Sequence, residues 1–327
     1  MTPDEHEQIA ACLTRMGVDP TFTGYQTLAA GVSGSCVYRL RRADDSVILK
    51  LTVVHTEPYV WARAQRELTF YETLADRLPV RTPRLLAGSV DQDFGLCMLL
   101  TAQQPVASNW QMTDYANMAA QLADLHACFW ANPDDLALYD WLRQPVFTTS
   151  AEEIAAALRG WQSLRDQPRL QSAFTPSAYE LVCHRVVEIA AVDAMIRSWP
   201  VTLCHGDCHR DNFLRDNQGN LVWADWQEVG VGAGPEDLSF FWQRAAAAGD
   251  TLPVEQMLVI YHARLQAQTG VAISLSAVQR IARASELRTT LLHWPFYLQQ
   301  ASVAQIARLL QRVKQLLAAI KDNATKA

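Results

Sequence analysis

The residues best suited to chemistry are gathered in one stretch, TLCHGDCHRDNFLRDNQGNLVWADWQE, at 202–228. Within it FLR and LVWAD have strand texture, and DNQGN between them has the Gly/Asn chemistry of a hairpin turn. A hairpin returns its ends to one place, so Asn212 before the first strand and Asp225 after the second should meet. Two oxygen ligands so arranged suit a hard cation such as Mg²⁺, which takes few protein ligands and completes its shell with phosphate oxygens and water. Asp207 follows a glycine on the incoming loop, where a carboxylate beside a metal–phosphate site can accept the proton of an attacking hydroxyl. A solvated turn rich in Asp and Asn is the plain alternative. It needs no apolar walls, whereas Leu203, Phe213, Leu214 and Trp223 supply them here. Cys204, His205, Cys208 and His209 crowd the same loop and are all zinc-capable, but zinc sites close with a second ligand pair. No C-x-x-C or H-x3-H partner follows, which favours small apolar cysteines beside the loop.

These residues carry a family resemblance. HGDCHRDN (205–212) followed by WADW (223–226) resembles the aminoglycoside phosphotransferase / choline kinase family, relatives of protein kinases, close to the ecdysteroid-kinase-like branch. The resemblance implies a magnesium- and ATP- or GTP-dependent transfer to a small-molecule hydroxyl. It implies Asp207 as catalytic base, Asn212 and Asp225 as magnesium ligands, and His205 as a packing residue. His209 matches a frequent family histidine that steadies the loop or the transferring phosphate, with a structural hydrogen-bonded role as the alternative. MAAQLADLHACFW (118–130) looks like the family's LA-x-LHA-x-FW helix, with His126 structural. Asp237 in GPEDLSFF (234–241) matches an aspartate that brace the catalytic region, with stabilisation of a helix N-terminus as its alternative. The likeness spans about 27–245. CMLLTAQQP (97–105) departs from it by lacking an acidic pair, which leaves the choice between adenine and guanine open.

The elements that must position these groups can also be read. VILKL (47–51) alternates, placing Val47, Leu49 and Leu51 on one face and Lys50 on the other. In the helix expected over 57–78, Val60, Ala64, Tyr71, Leu74 and Leu78 form a stripe that also includes Glu67. A carboxylate on an apolar stripe is costly unless a cation meets it, and Lys50 is the obvious one. A partly exposed surface pair is the bland reading. By resemblance Lys50 contacts the triphosphate and Glu67 orients it. The loop Gly31-Val32-Ser33-Gly34-Ser35 joins two strands with small residues whose amides can approach phosphates, a plausible nucleotide lid, although no GK[ST] follows and it is not a P-loop.

Around these pieces the sequence predicts an α+β, bilobal, protein-kinase-like plan. A small β-rich lobe (1–101) has a helix at 4–16 and two strands within 85–100, a hinge runs over 102–108, and a larger helical lobe covers 109–327. Helices are expected at 112–130, 151–165, 176–198, 236–248, 253–268, 275–292 and 302–321, interrupted by the β island at 201–226. The last helix carries Val303, Ile306, Leu309, Leu310, Val313, Leu316, Leu317 and Ile320 as a core stripe.

Composition narrows the class. The 327 residues are 50% hydrophobic and 19% charged with a net charge of -6, an ordinary globular balance that argues against nucleic acid as partner. MTPDEHEQIA has no secretory pattern and no apolar run approaches ~18 residues, so neither export nor a membrane span is expected. Cysteines 12, 36, 97, 128, 183, 204 and 208 are odd in number and scattered, as expected of reduced thiols in the cytoplasm. From 251 onward three acids (Glu255, Glu286, Asp322) face nine Lys/Arg, which disfavours polycationic aminoglycosides and choline and favours a neutral or anionic hydroxylated metabolite. Trp242, His293, Trp294, Phe296 and Tyr297 are candidates to line its pocket, or plain core. A pseudokinase that regulates a partner is the main competing reading, although Lys50, Glu67, Asp207, Asn212 and Asp225 are all present. A protein kinase is disfavoured by the absence of A-P-E after Asp225.

Overall fold

A computed structural model describes residues 5–28, 34–43, 45–106 and 110–324. In chain order the elements are α1 (Glu5–Arg15), β1 (Gly24–Leu28), β2 (Cys36–Arg41), β3 (Ser46–Val53), α2 (Pro58–Thr73), β4 (Leu85–Asp91), β5 (Gly95–Thr101), β6 (Gln104–Pro105), α3 (Met112–Ala127), α4 (Pro133–Ala137), α5 (Ala151–Arg165), α6 (Pro176–Val187) and α7 (Ala190–Arg197). They continue with β7 (Val201–Cys204), β8 (Phe213–Arg215), β9 (Leu221–Trp223), β10 (Gly230–Ala233), α8 (Pro235–Ala248), α9 (Val254–Thr269), α10 (Leu275–Leu292), α11 (Trp294–Tyr297) and α12 (Val303–Ala324). Contacts group the chain into two compact units. The N-terminal part is built on a β-sheet and the C-terminal part is helical.

The first unit comprises Met1–Gln111, Tyr139–Arg143 and His205–Val229. Its antiparallel sheet has the order β1-β2-β3-β5-β4. The alternation read in VILKL is present: Val47, Leu49 and Leu51 are buried, and with Tyr38, Leu40, Cys97 and Leu99 they pack against Ile9, Cys12 and Leu13 of α1. Lys50, opposite Val37 on β2 and Met98 on β5, is thereby left to the other face. α2 starts with Pro58 at its first turn and buries Val60, Ala64, Glu67, Leu68, Phe70 and Tyr71. It stops at Thr73 rather than at 78, and a tight turn at Ala75–Arg77 follows. Pro79 keeps Leu78 extended, with φ -89° and ψ 149°, so no helix could reach 78; α2 itself breaks earlier, at Leu74.

The catalytic-type stretch joins this unit as a hairpin. β8 and β9 pair as Phe213↔Trp223, Leu214↔Val222 and Arg215↔Leu221. The Asp216 amide closes the turn on the Asn220 carbonyl at 3.0 Å, and Asp216 Oδ1 accepts the amides of Gln218 and Asn220 at 2.9 Å each. Gln104 and Pro105, expected in an irregular connector, pair with this hairpin as β6.

The second unit comprises Met112–Leu138, Gln144–Cys204 and Gly230–Ala327. α5, α6, α10 and α12 share a core around Trp161, Val182, Leu291, Ile306 and Val313. The stripe on the last helix is buried at Ile306, Leu310, Val313 and Leu316, whereas Val303 is exposed at its start. The single helix expected over 176–198 is two, α6 and α7, with the break at 188–189 placing Ile189 in this core. Two charges inside the unit are paired as buried charges must be. Asp193 accepts from Arg288 Nε at 2.8 Å and from the Thr149 amide at 2.7 Å. Glu286 accepts from Arg312 Nε and Nη2 at 2.7 Å each and from Trp242 Nε1 at 2.9 Å. β10, whose GVGA has too little side chain to signal a strand, pairs with β7.

Candidate active site

The loop from His205 to Asn212 is held by its own side chains. The buried His205 accepts the Asp207 amide at Nδ1 (3.3 Å) and donates Nε2–H to the Ala224 carbonyl (3.1 Å), so one neutral tautomer serves both. Its ring packs on Trp226 with centroids 4.5 Å apart. Gly206 has φ +80°, and a β-carbon there would lie 2.1 Å from the Glu228 carbonyl oxygen. Both the left-handed backbone and this close approach require glycine. Of the expected apolar walls, Leu203, Phe213 and Trp223 are buried and Leu214 is half-buried.

Asn212 is buried, and its amide nitrogen donates to the Asp207 carbonyl (2.8 Å) and to Asp207 Oδ2 (3.3 Å). The Ala224 amide bonds the Asn212 carbonyl at 2.9 Å, so the hairpin brings its two ends together as the turn chemistry suggests. Burial disfavours the ionised Asp207, yet His209 and the Asn212 amide outweigh it and hold the carboxyl below its ordinary range. His209 Nε2 lies 3.6 Å from Asp207 Oδ2, and its Nδ1 lies 3.5 Å from Asp211 Oδ2.

Asp225 adopts φ 63° and ψ 62°, a left-handed conformation uncommon outside glycine and least costly for Asp and Asn. Its Oδ1 accepts from Lys50 Nζ at 2.9 Å. The same ammonium donates to Glu67 Oε1 and Oε2 at 2.7 and 2.9 Å. Lys50 therefore joins β3, α2 and the end of the hairpin. Burial works against its charge, but Asp225 and Glu67 prevail and raise it above the ordinary lysine range. Burial pushes the Glu67 carboxyl up against the pull of Lys50. One helical turn on, the Tyr71 hydroxyl is buried without a hydrogen-bond partner among the described residues; burial and the charges of Glu67 and Asp225 raise it well above its usual range.

The structure thus brings Lys50, Glu67 and Asp225 together, and clamps Asp207 to Asn212. In the glycine loop, Ser35 Oγ lies 2.6 Å from Thr52 Oγ1 and Gly34 has φ +77° beside Val60. Gly31 and Ser33 lie outside the described residues. Of the candidate acceptor residues, Trp242 is core and bonded to Glu286, and Trp294 Nε1 donates to Gln243 at 2.9 Å. Burial lowers His293 below its usual range, while Phe296 and Tyr297 are exposed.

The zinc-capable quartet does not assemble. Among the described residues the set of metal-capable side chains that converges is His126, Cys204 and Asp237, all buried, in the second unit. His126 is already engaged by Tyr261 Oη (2.8 Å) and Asp237 Oδ2 (3.3 Å), a buried polar network rather than an open coordination site. Sequence reading also missed a clasp on the turn Trp226–Glu228. Phe70 stacks on Trp226 (4.3 Å between centroids, 13°), Arg66 donates to the Gln227 carbonyl at 2.7 Å, and Arg63 pairs with Glu228. Arg143 donates to the Glu228 carbonyl at 3.3 Å. The R-x-x-R-E spacing of α2 hinted at it, but its partners are remote in sequence.

The fold has counterparts among solved structures. The GDP complex of wild-type aminoglycoside 2'-phosphotransferase-IIIa aligns with a TM-score of 0.61 and 14% identity, covering 100% of this chain and 99% of that one. A choline kinase from Cryptosporidium parvum Iowa II aligns with a TM-score of 0.59 and 10% identity over 99% and 97% of the chains. A macrolide 2'-phosphotransferase from Brachybacterium faecium aligns with a TM-score of 0.56 and 19% identity over 97% and 98%. The fold is accordingly protein-kinase-like, a β-sheet N-terminal part followed by a helical C-terminal part. The sequence profile of the phosphotransferase enzyme family matches residues 24–272, and the chain belongs to that family. No curated protein matches it in sequence.

Proposed function

We propose that the protein transfers the terminal phosphoryl group of ATP or GTP to a hydroxyl of a small molecule. The observation that carries this reading is Lys50 held between Glu67 and Asp225, on the same unit as an Asp207 kept ionised and clamped by Asn212. Asp207 accepts the proton of the acceptor hydroxyl as its oxygen attacks the terminal phosphorus, and the nucleoside diphosphate leaves. Lys50, oriented by Glu67, binds the triphosphate, and His209 steadies Asp207 or the transferring group. Gly31, Ser33, Gly34 and Ser35 cover the nucleotide.

The donor set fits magnesium. Asp225 and Asn212 offer hard oxygens, and among the described residues nothing donates to Asn212 Oδ1. A magnesium ion held by these two residues would neutralise charge on the phosphate oxygens. Catalysis by the chain itself is then positioning and electrostatics.

Arg264, Arg283, Arg288 and Arg312 are already paired with carboxylates, so the preference for a neutral or anionic acceptor over an aminoglycoside or choline rests on the remaining bases beyond residue 251. None of the seven cysteines is in a disulfide, which supports the cytoplasm as compartment. Among the described residues no helix is long and apolar enough to cross a membrane. Incubation with Mg²⁺, ATP or GTP, and pooled hydroxylated metabolites and antibiotics, read by mass spectrometry, tests the reading. A phosphorylated product names the acceptor class. An aminoglycoside phosphorylated as fast as the best acceptor overturns the acceptor assignment, and absence of nucleotide binding overturns the reading itself.

A further inference from the structure

The turn that follows Asp225 is surrounded by more positive charge than it neutralises. Arg63 and Arg66 on α2 and Arg143 from the 139–143 segment all converge on Gln227 and Glu228. Among the described residues Glu228 is the carboxylate that pairs with them: Arg63 pairs with it, and Arg143 Nε lies 3.7 Å from its Oε2. Arg66 hydrogen-bonds a backbone carbonyl and feels Glu228 through space, and its Nε is buried without a hydrogen-bond partner among the described residues. Among the described residues three guanidinium groups thus share one carboxylate. Burial and the neighbouring Arg143 and Arg63 work against the Arg66 charge, with Glu228 opposing.

This cluster is reachable and well placed. The side chains of Arg63 and Arg143 are 34% and 38% exposed, whereas Glu228 is 16% exposed. The Glu228 backbone is the surface against which Gly206 packs, one residue before Asp207. Planar guanidinium forks match carboxylate and phosphate oxygens bidentately, and a buried unpaired donor calls for a partner.

We infer that Arg63, Arg66 and Arg143 form an oxyanion site that takes a carboxylate or phosphate group of the acceptor, with Glu228 as its resident competitor. This rests on the proposed phosphotransfer and narrows its substrate to hydroxylated acids or phosphate monoesters.

The test begins without nucleotide or acceptor. The Nε–H resonances of the arginines are followed by NMR while inorganic phosphate, and separately acetate, is titrated into the full-length protein. Saturable shifts of Arg63, Arg66 and Arg143, at least about ten-fold tighter than those of exposed arginines elsewhere, are expected. Arg63→Gln/Arg143→Gln should abolish saturation. Glu228→Gln should tighten phosphate binding about three-fold or more, the opposite of what a purely structural Glu228 would do. Linear, non-saturating shifts, or looser binding in a folded Glu228→Gln, overturn the site. With the preferred acceptor in hand, inorganic phosphate should compete with it, and the double variant should raise acceptor KM about ten-fold with nucleotide KM unchanged. Saturable phosphate binding that does not compete overturns the acceptor assignment. Nucleotide binding, measured separately on the same samples, distinguishes a failure of this site from a failure of the kinase reading.

Discussion

Lys50→Met leaves Glu67, 4% exposed, and Asp225, 31% exposed, without the ammonium that now lies 2.7 and 2.9 Å from them. Removing one partner of a buried ion pair costs about 3–5 kcal/mol. Water can reach Asp225 and take up part of that, so a loss of ~3 kcal/mol is expected at neutral pH. The loss has a defined pH dependence. Burial already pushes the Glu67 carboxyl up, and loss of the ammonium pushes it further. A carboxyl raised in the folded state binds more protons folded than unfolded. Stability of the variant therefore falls as pH rises from the unfolded value of about 4.3 through the raised folded one, and returns on acidification. Urea unfolding of nucleotide-free wild type, Lys50→Met and Lys50→Met/Glu67→Gln, at about pH 7.5 and about pH 5.5, reads this directly. The double variant should regain at least ~1 kcal/mol over Lys50→Met at the higher pH and little at the lower one. A Lys50→Met protein within ~0.5 kcal/mol of wild type, or a deficit that grows on acidification, would refute the reasoning.

Gly206→Ala should cost about 3 kcal/mol or more in urea unfolding because its β-carbon meets the Glu228 carbonyl, whereas Gly219→Ala, at φ +85° with nothing within 4 Å, should cost only about 1 kcal/mol. The acid limb of kcat/KM should lie below the ordinary aspartate range, since Asp207 is held low chiefly against burial by His209; His209→Gln should move that limb upward. Asp207 likewise contributes stability above its unfolded pKa that is lost as pH falls through the lower folded value. Asn212→Ala removes both the clamp on Asp207 and a proposed magnesium donor, so the magnesium concentration for half-maximal rate should rise about ten-fold; an unchanged magnesium curve would contradict that assignment.

What could be read in advance was local or forced by cost. Asp216, Asn217, Gly219 and Asn220 specify the hairpin by turn chemistry, and that alone brings Asn212 and Asp225 to neighbouring positions. Glu67 on an apolar stripe demanded a cation, and Lys50 on the polar face of β3 answers it. That Asp225 shares the same ammonium was not foreseen, because nothing in the sequence couples the strand to a residue so far along the chain. The same distance hid the arginines: Arg143 lies between two helices of the second unit by sequence, yet its 139–143 segment packs with the first. β10 and β6 escaped notice because GVGA and QP carry almost no strand signal, their pairing being set by partners β7 and β8. The break between α6 and α7 has neither proline nor glycine, and only the burial of Ile189 marks it.

The most direct measurement compares wild type with Asp207→Asn in parallel for nucleotide affinity and for phosphoryl transfer. If Asp207 is the base, the variant should bind ATP or GTP with Mg²⁺ within about two-fold of wild type while turnover falls on the order of 10²–10⁴-fold. A variant that transfers phosphate at close to the wild-type rate would contradict the account at its centre.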